Sequence, residues 1–212
     1  MRNVIKPVFM FLGMVRRLLT IYSVLLTFAL IFFGLLFPNF YVISGIVTMI
    51  PVLWIFYWVD CRFNLNYKYR HYVVLIVLFT LGMVLNPFYY IWPAYDKILH
   101  FLTPLFWCTL IFVPVGKLRM GFYLKLLFTI SLFLSFMMAH EGGEYILDKT
   151  LDLHFQGVYT SSFSENLDRQ TMQEVQDPWN DTMQDEILDI LGAATFGMIN
   201  IISYAYRKKE LI

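Results

Sequence analysis

Long runs of apolar residues recur along the chain, and short polar segments separate them. A helix rises about 1.5 Å per residue and the hydrocarbon layer of a bilayer is about 30 Å thick, so roughly 20 mostly apolar residues complete one crossing. We predict membrane-spanning helices at residues 18–37, 40–59, 72–92, 98–115, 122–139 and 187–206. The pattern therefore predicts an all-α polytopic membrane protein, with one membrane domain over residues 1–212.

Composition and the placement of basic residues add an orientation to this arrangement. The chain is 59% hydrophobic and only 15% charged, which lies outside the range typical of soluble domains. Lys and Arg are concentrated before the first predicted helix, between helices two and three, between four and five, and after helix six. All of these segments lie on one side of a six-helix topology. The positive-inside rule therefore predicts a multi-pass protein of the cell membrane with both termini in the cytoplasm.

The acidic residues are distributed in the opposite way. Only Asp60 and Glu210 fall on the predicted cytoplasmic side. A polar loop at about residues 148–186 is predicted on the extracytoplasmic side, between the last two helices. Solvation of this loop accounts for a share of the acids. The others form three clusters at predicted helix ends.

The first cluster lies in the sequence WPAYDKILHF. Pro93 suits the first turn of a helix, and Asp96 and His100 then stand four residues apart on one helix face. They can contact the same ligand or each other. The alternative is an Asp favoured by the dipole at a helix start and a His hydrated at the interface.

The second cluster follows a long apolar run, in the sequence AHEGGEYILD. His140, Glu141 and Glu144 lie here, and the two carboxylates share a face if the helix continues through the two intervening glycines. The glycines could instead break the helix into a turn. The alternative to a site is a helix terminus that emerges into water.

The third cluster is the most specific of the three. Asp177 followed by Pro178 predicts a helix start that continues into helix six. Asp181, Asp185 and Asp189 follow at a spacing of four and form an acidic stripe along that helix. Negative charge near a helix N-terminus is stabilising, which accounts for Asp181 without any ligand and is an open alternative for Asp185.

Asp189 differs from its neighbours because it lies about one turn inside an apolar run. An Asp deep in the membrane costs about 2.5 to 3.5 kcal/mol on insertion scales, and such residues usually have a partner. The candidate partners are His100, Lys97, or a metal ion shared with the other carboxylates.

Three separated pieces resemble a family of bacterial polytopic membrane proteins that includes YjdF, and more distantly VanZ-like proteins. The pieces are YDKILHF, the Glu-bearing end of helix five, and DPWNDTMQDEILDILGA, which together span about residues 96–197. The positions that match the family pattern are Asp96, His100, Glu141 or Glu144, Trp179, Asp181, Thr182, Asp185 and Gly192. The resemblance implies no established reaction. VanZ-like proteins are linked to resistance against lipoglycopeptide antibiotics, which implies a role at the outer face of the envelope.

The residue types in the three clusters point to a cation. Carboxylates suit Mg²⁺, Mn²⁺ or Ca²⁺, and a His would also admit Zn²⁺. The candidate metal ligands are Asp96, His100, Glu141, Glu144, Asp181, Asp185 and Asp189. The candidate catalytic residues are Asp185, His100 and Glu144. Metal-activated water or a carboxylate base would then attack a phosphoester or ester.

Two functions of other classes stay open beside a metal-dependent enzyme acting on a lipid or lipid-linked headgroup. One is a non-enzymatic transporter in which the carboxylates take up protons or cations. The other is a scaffold in an envelope complex. The expected partners are membrane lipid and a lipid-linked substrate, with no nucleic acid.

Overall fold

The computed structural model describes residues 40–85, 88–89, 92–151, 158–160 and 173–209. The predicted crossing at residues 18–37 lies outside them. The chain divides after Asn86 into two compact units, and each is considered by itself.

The described residues of the first unit, 40–85, form two helices, α1 (Phe40–Phe63) and α2 (Tyr69–Phe79), and α2 continues into a π-helical turn at Thr80–Val84. The Asp60 carboxylate stabilises the connection between the two helices by accepting hydrogen bonds. It accepts a hydrogen bond of 2.7 Å from the Tyr72 hydroxyl and one of 3.2 Å from the Tyr67 backbone N–H. Burial, together with this carboxylate, raises the pKa of Tyr67 to about 12.

The third predicted crossing requires a correction. We expected one helix over residues 72–92, but the helical structure that begins with α2 ends at Val84. The Leu85 N–H donates to the Thr80 carbonyl at 2.9 Å, which is a π-type bond and departs from α-helical register. Pro87, two residues on, has no N–H with which to continue the ladder.

The second unit contains three long helices, α3 (Ala94–Gly116), α4 (Phe122–Leu151) and α5 (Pro178–Lys209). All three are long and apolar enough to cross a membrane. The coarser part of the prediction, a helical chain with helices of membrane-spanning length and apolarity, is confirmed. The α4 and α5 helices, with 30 and 32 residues, extend over about 45 and 48 Å and so exceed a hydrocarbon layer of about 30 Å.

The extra length of these helices shortens the polar loop predicted at residues 148–186. The α4 helix continues through Gly142 and Gly143 to Leu151, beyond the predicted end at residue 139. The α5 helix begins at Pro178, and the Asp177 carboxylate accepts a hydrogen bond of 3.1 Å from the Asn180 backbone N–H. The predicted helix start is therefore confirmed. Hydrogen bonds from Asn180 lower the pKa of the Asp177 carboxyl.

Between α4 and α5 the described residues form a short antiparallel ladder. Strand β1 (Val158–Thr160) pairs with strand β2 (Gln173–Gln176), with an irregularity in the register after Val158. Strand β2 leads directly into the N-terminus of α5.

The three helices pack around one apolar core. It consists of Cys108, Leu126, Phe133, Ala193 and Phe196. Gly192 lets α5 lie close to α3: a Cβ atom there would overlap the Phe101 carbonyl oxygen and lie 3.1 Å from Pro104 Cγ. This contact joins the N-terminal half of α3 to α5, next to the acidic stripe.

Candidate functional site

Lys97 lies among carboxylates from two helices. Its Nζ atom donates hydrogen bonds to Asp185 Oδ1 at 2.7 Å and to Asp96 Oδ2 at 3.2 Å, and it also contacts Asp181. Asp96 is on α3, whereas the other two are on the first turns of α5. The Lys97 side chain is only 19% exposed, so these ion pairs are shielded from water.

His100 occupies the opposite side of the same carboxylates. Its Nε2 atom lies 3.6 Å from Asp96 Oδ1 and 3.8 Å from Asp185 Oδ2. These are the oxygens that do not bond to Lys97. Asp96 and Asp185 therefore each face Lys97 with one oxygen and His100 with the other.

Asp189 contacts the other ring nitrogen of His100. Asp189 Oδ1 lies 3.5 Å from His100 Nδ1, which confirms His100 as its partner among the predicted candidates. The residue is 1% exposed, and neither carboxylate oxygen accepts a hydrogen bond from any described residue. A buried carboxylate without full compensation is costly. A positive charge on His100, or a hydrogen bond donated by its Nδ1 atom, would stabilise this buried carboxylate.

Three atoms of this cluster are arranged as metal ligands. An oxygen of Asp96, an oxygen of Asp185 and a nitrogen of His100 all lie within 4.8 Å of one another. Around a cation with ligands at about 2.1 Å, adjacent ligands are about 3.0 to 3.4 Å apart. The observed distances of 3.6 and 3.8 Å from Nε2 exceed that range by tenths of an ångström.

The second predicted cluster is only partly drawn into this arrangement. Glu141 is buried, and its carboxylate lies next to the Thr182 side chain of α5. His140 Nε2 lies 3.4 Å from Glu144 Oε1 along α4, and His140 is largely exposed. Glu141 thus reaches the acidic stripe, and the His140 and Glu144 pair, towards the C-terminal end of α4, lies close enough to His100 to interact with it electrostatically.

We refer to Asp96, Lys97, His100, Asp181, Asp185 and Asp189 as the carboxylate–histidine cluster. Its four carboxylates face one ammonium group and one imidazole, with Glu141 close by. The acids outnumber the bases. A further cation is therefore electrostatically favoured, and a free anion is not.

Exposed aromatic side chains lie near the same end of the helices. Trp179, in the first turn of α5, is 72% exposed, and Trp92 lies just before α3 and is 50% exposed. Trp is enriched at the level of lipid headgroups. Its placement here is typical of a site at the membrane interface.

From the sequence we expected Lys97 only as a possible partner of Asp189. The structure instead pairs Lys97 with Asp96, Asp181 and Asp185. One signal was available: a Lys between an Asp and an apolar run, on the side of the chain where basic residues are scarce.

The fold and the cluster together define a helical chain whose described residues include three potential membrane crossings, with a buried carboxylate–histidine cluster at one end of them. No family model, no curated protein and no solved structure matches the chain. The function of the chain is therefore inferred from the geometry of the cluster.

Proposed function

We propose that the chain is a six-helix protein of the cell membrane that binds a divalent cation at its extracytoplasmic face, through Asp96, His100 and Asp185. Both termini lie in the cytoplasm. One observation carries the proposal: two carboxylates from different helices turn their second oxygens toward His100 Nε2. A cation between these three atoms would bind ligands that already lie close together.

The position of Asp189 supports a metal-binding role for His100. Metal-ligating histidines usually donate their second ring N–H to a carboxylate, which fixes the tautomer and the orientation of the ring. Asp189 Oδ1 lies 3.5 Å from Nδ1, close to that nitrogen although no hydrogen bond joins them in the described structure, and Nε2 faces the other two carboxylates. Asp189 is thus proposed as a positioning residue of the metal site.

The proposed activity is metal-dependent hydrolysis of a lipid or lipid-linked headgroup. A bound cation would polarise a phosphoryl or carbonyl oxygen and lower the pKa of a bound water. Glu144 lies at the outer end of α4 and is proposed as the base that accepts a proton from this water. We further propose, from the likeness of the three sequence pieces, that the chain belongs to the family that includes YjdF.

Transport receives less support from the described residues. Between Asp189 and the basic end of α5, Asn200 is the main polar side chain, and its amide donates to the Phe196 carbonyl of its own helix at 2.9 Å. The acidic residues of α5 are confined to its first turns. A path of ionisable groups across α5 is therefore not apparent in this part of the chain.

The metal site is tested by Mn²⁺ titration of the full chain purified in detergent, followed by electron paramagnetic resonance. We expect about one Mn²⁺ per chain, and loss of tight binding in Asp185→Asn and in His100→Ala. Glu186→Gln is the matched control, because it removes the next carboxylate along α5, which is not among those that contact His100 or Lys97 in the described structure. Absence of saturable binding, or equal binding by all four proteins, would contradict the proposal.

The catalytic part needs a separate measurement. Protein loaded with Mn²⁺ is reconstituted in vesicles of phosphatidylglycerol and phosphatidylethanolamine, and release of water-soluble headgroup is followed. We expect release that requires metal and is lost in Glu144→Gln while Mn²⁺ binding persists. Stoichiometric metal without release would contradict the enzymatic function and leave a cation-binding membrane protein.

A further inference from the structure

The carboxylate–histidine cluster contains two cation positions, and the proposed metal would fill only one of them. We infer that the Lys97 ammonium permanently occupies the second position of what is otherwise a two-cation site. The inference rests on the proposed function, because the first position is the metal site on Asp96, His100 and Asp185.

The geometry at Lys97 is that of a bound cation. Its Nζ atom contacts one oxygen from each of Asp96, Asp181 and Asp185, so three carboxylates surround an ammonium group that has three N–H donors. The three carboxylate side chains are 9%, 7% and 4% exposed. Water therefore contributes little to the solvation of this charge, and the carboxylates replace it.

Two carboxylates connect the positions. Asp96 and Asp185 each direct one oxygen to Lys97 and the other toward His100. In sites that bind two metal ions, the ions lie about 3.5 to 4 Å apart and share ligands in this manner. Asp181 then belongs to the second position alone, as His100 belongs to the first.

A second observation, on Asp189, points to a shortage of positive charge or of protons in the cluster. Asp189 is buried, and neither of its oxygens accepts a hydrogen bond from a described residue. Lys97 bonds to the other carboxylates of the cluster and leaves Asp189 to His100. Replacement of the ammonium group by a neutral side chain would add to this imbalance, which a second divalent cation can correct.

The test compares Mn²⁺ stoichiometry in the wild-type chain and in Lys97→Gln, both purified in detergent. We expect about one Mn²⁺ per wild-type chain and about two in the variant. The second ion should also change the paramagnetic resonance spectrum from that of an isolated Mn²⁺ to that of an exchange-coupled pair. Lys97→Met, which keeps the apolar stem, replaces Lys97→Gln if the latter is not monodisperse.

Two control variants separate loss of the ammonium group from a general loss of charge. Lys97→Arg retains the positive charge and should bind one Mn²⁺. Lys149→Gln removes a basic residue from the exposed outer end of α4, where its Nζ atom lies 5.8 Å from the Tyr145 ring centroid, and should also bind one.

The outcomes distinguish this inference from the proposed function. One Mn²⁺ in both the wild type and Lys97→Gln would overturn the second position and leave the metal site intact. No Mn²⁺ in the wild type but one in Lys97→Gln would support the position at Lys97 and contradict the proposed wild-type metal site. No binding in either protein would overturn both.

Discussion

At the residue scale, the cluster is organised by carboxylates that divide their oxygens between two bases. Asp96 and Asp185 each face Lys97 and His100 at once, whereas Asp189 faces His100 alone. Residues of the same type therefore have different roles. Two are proposed ligands, and the third orients the imidazole that completes the ligand set.

The orienting role of Asp189 predicts an intermediate effect on metal binding. Asp189→Asn should weaken Mn²⁺ binding by about 10- to 100-fold, because loss of an outer-shell partner of a metal-ligating His typically costs this much. Asp185→Asn should abolish tight binding. The measurement is a Mn²⁺ titration with circular dichroism as a check on folding. Equal losses in the two variants would assign Asp189 to the ligand shell.

The individual site residues were largely predictable from their chemistry and spacing. The spacing of four residues predicted that Asp96 and His100 share one helix face, and that the acidic stripe follows one side of another helix. The structure brings these two groups of residues together. The role of Lys97 was not predictable in the same way. Adjacent helical residues point about 100° apart, so only the long, flexible stem of Lys97 allows its ammonium group to reach the carboxylates near Asp96.

At the scale of elements, the site depends on how closely α5 approaches α3. Gly192 lies against the Phe101 carbonyl, one residue after His100 along α3. This close contact fixes the distance at which the acidic stripe faces Asp96 and Lys97. Small residues serve such close helix contacts in membranes.

A methyl group at Gly192 should separate the two helices. Gly192→Ala is expected to destabilise the protein by about 1 to 3 kcal/mol, the usual cost of forcing extra volume into a packed interior, and to weaken Mn²⁺ binding as well. The measurements are thermal unfolding in detergent and Mn²⁺ titration.

Gly142→Ala is the matched control for this prediction. Nothing lies within 4 Å of a Cβ atom at Gly142, which is also inside a helix. Ala is preferred over Gly there by about 1 kcal/mol, so the control should be neutral or stabilising. An equally harmless Gly192→Ala would show that the close approach does not determine the site.

The elements themselves were predicted unevenly. Apolar runs located α3, α4 and α5, because length and hydrophobicity decide which segments can cross a membrane. The ends of the helices were harder to predict. The continuation of α4 through Gly142 and Gly143, and the end of the π-helical turn after α2 at Val84, depend on local hydrogen bonding that residue propensity specifies only weakly.

At the scale of the whole molecule, the proposed topology places the first turns of α5 outside and the connection between α1 and α2 inside. The cysteines provide a natural test, since Cys61 is exposed near the end of α1 and Cys108 is buried in the core. An impermeant maleimide should label Cys61 only after intact right-side-out vesicles are permeabilised. Cys108 should stay unlabelled in the folded protein.

The opposite face is tested with Trp179→Cys in a Cys61→Ser background. Trp179 is exposed in the first turn of α5, so the new thiol should react with the same maleimide in intact vesicles. Labelling of Cys61 from outside, or of the position at Trp179 only after permeabilisation, would reverse the proposed orientation.

The most direct test of the metal centre is the anomalous scattering of a crystal of the full chain grown with Mn²⁺. We expect one anomalous peak between Asp96 Oδ1, Asp185 Oδ2 and His100 Nε2, with Lys97 still bonded to the other oxygens of the two carboxylates. A peak among other residues, or no peak at saturating Mn²⁺, would contradict it.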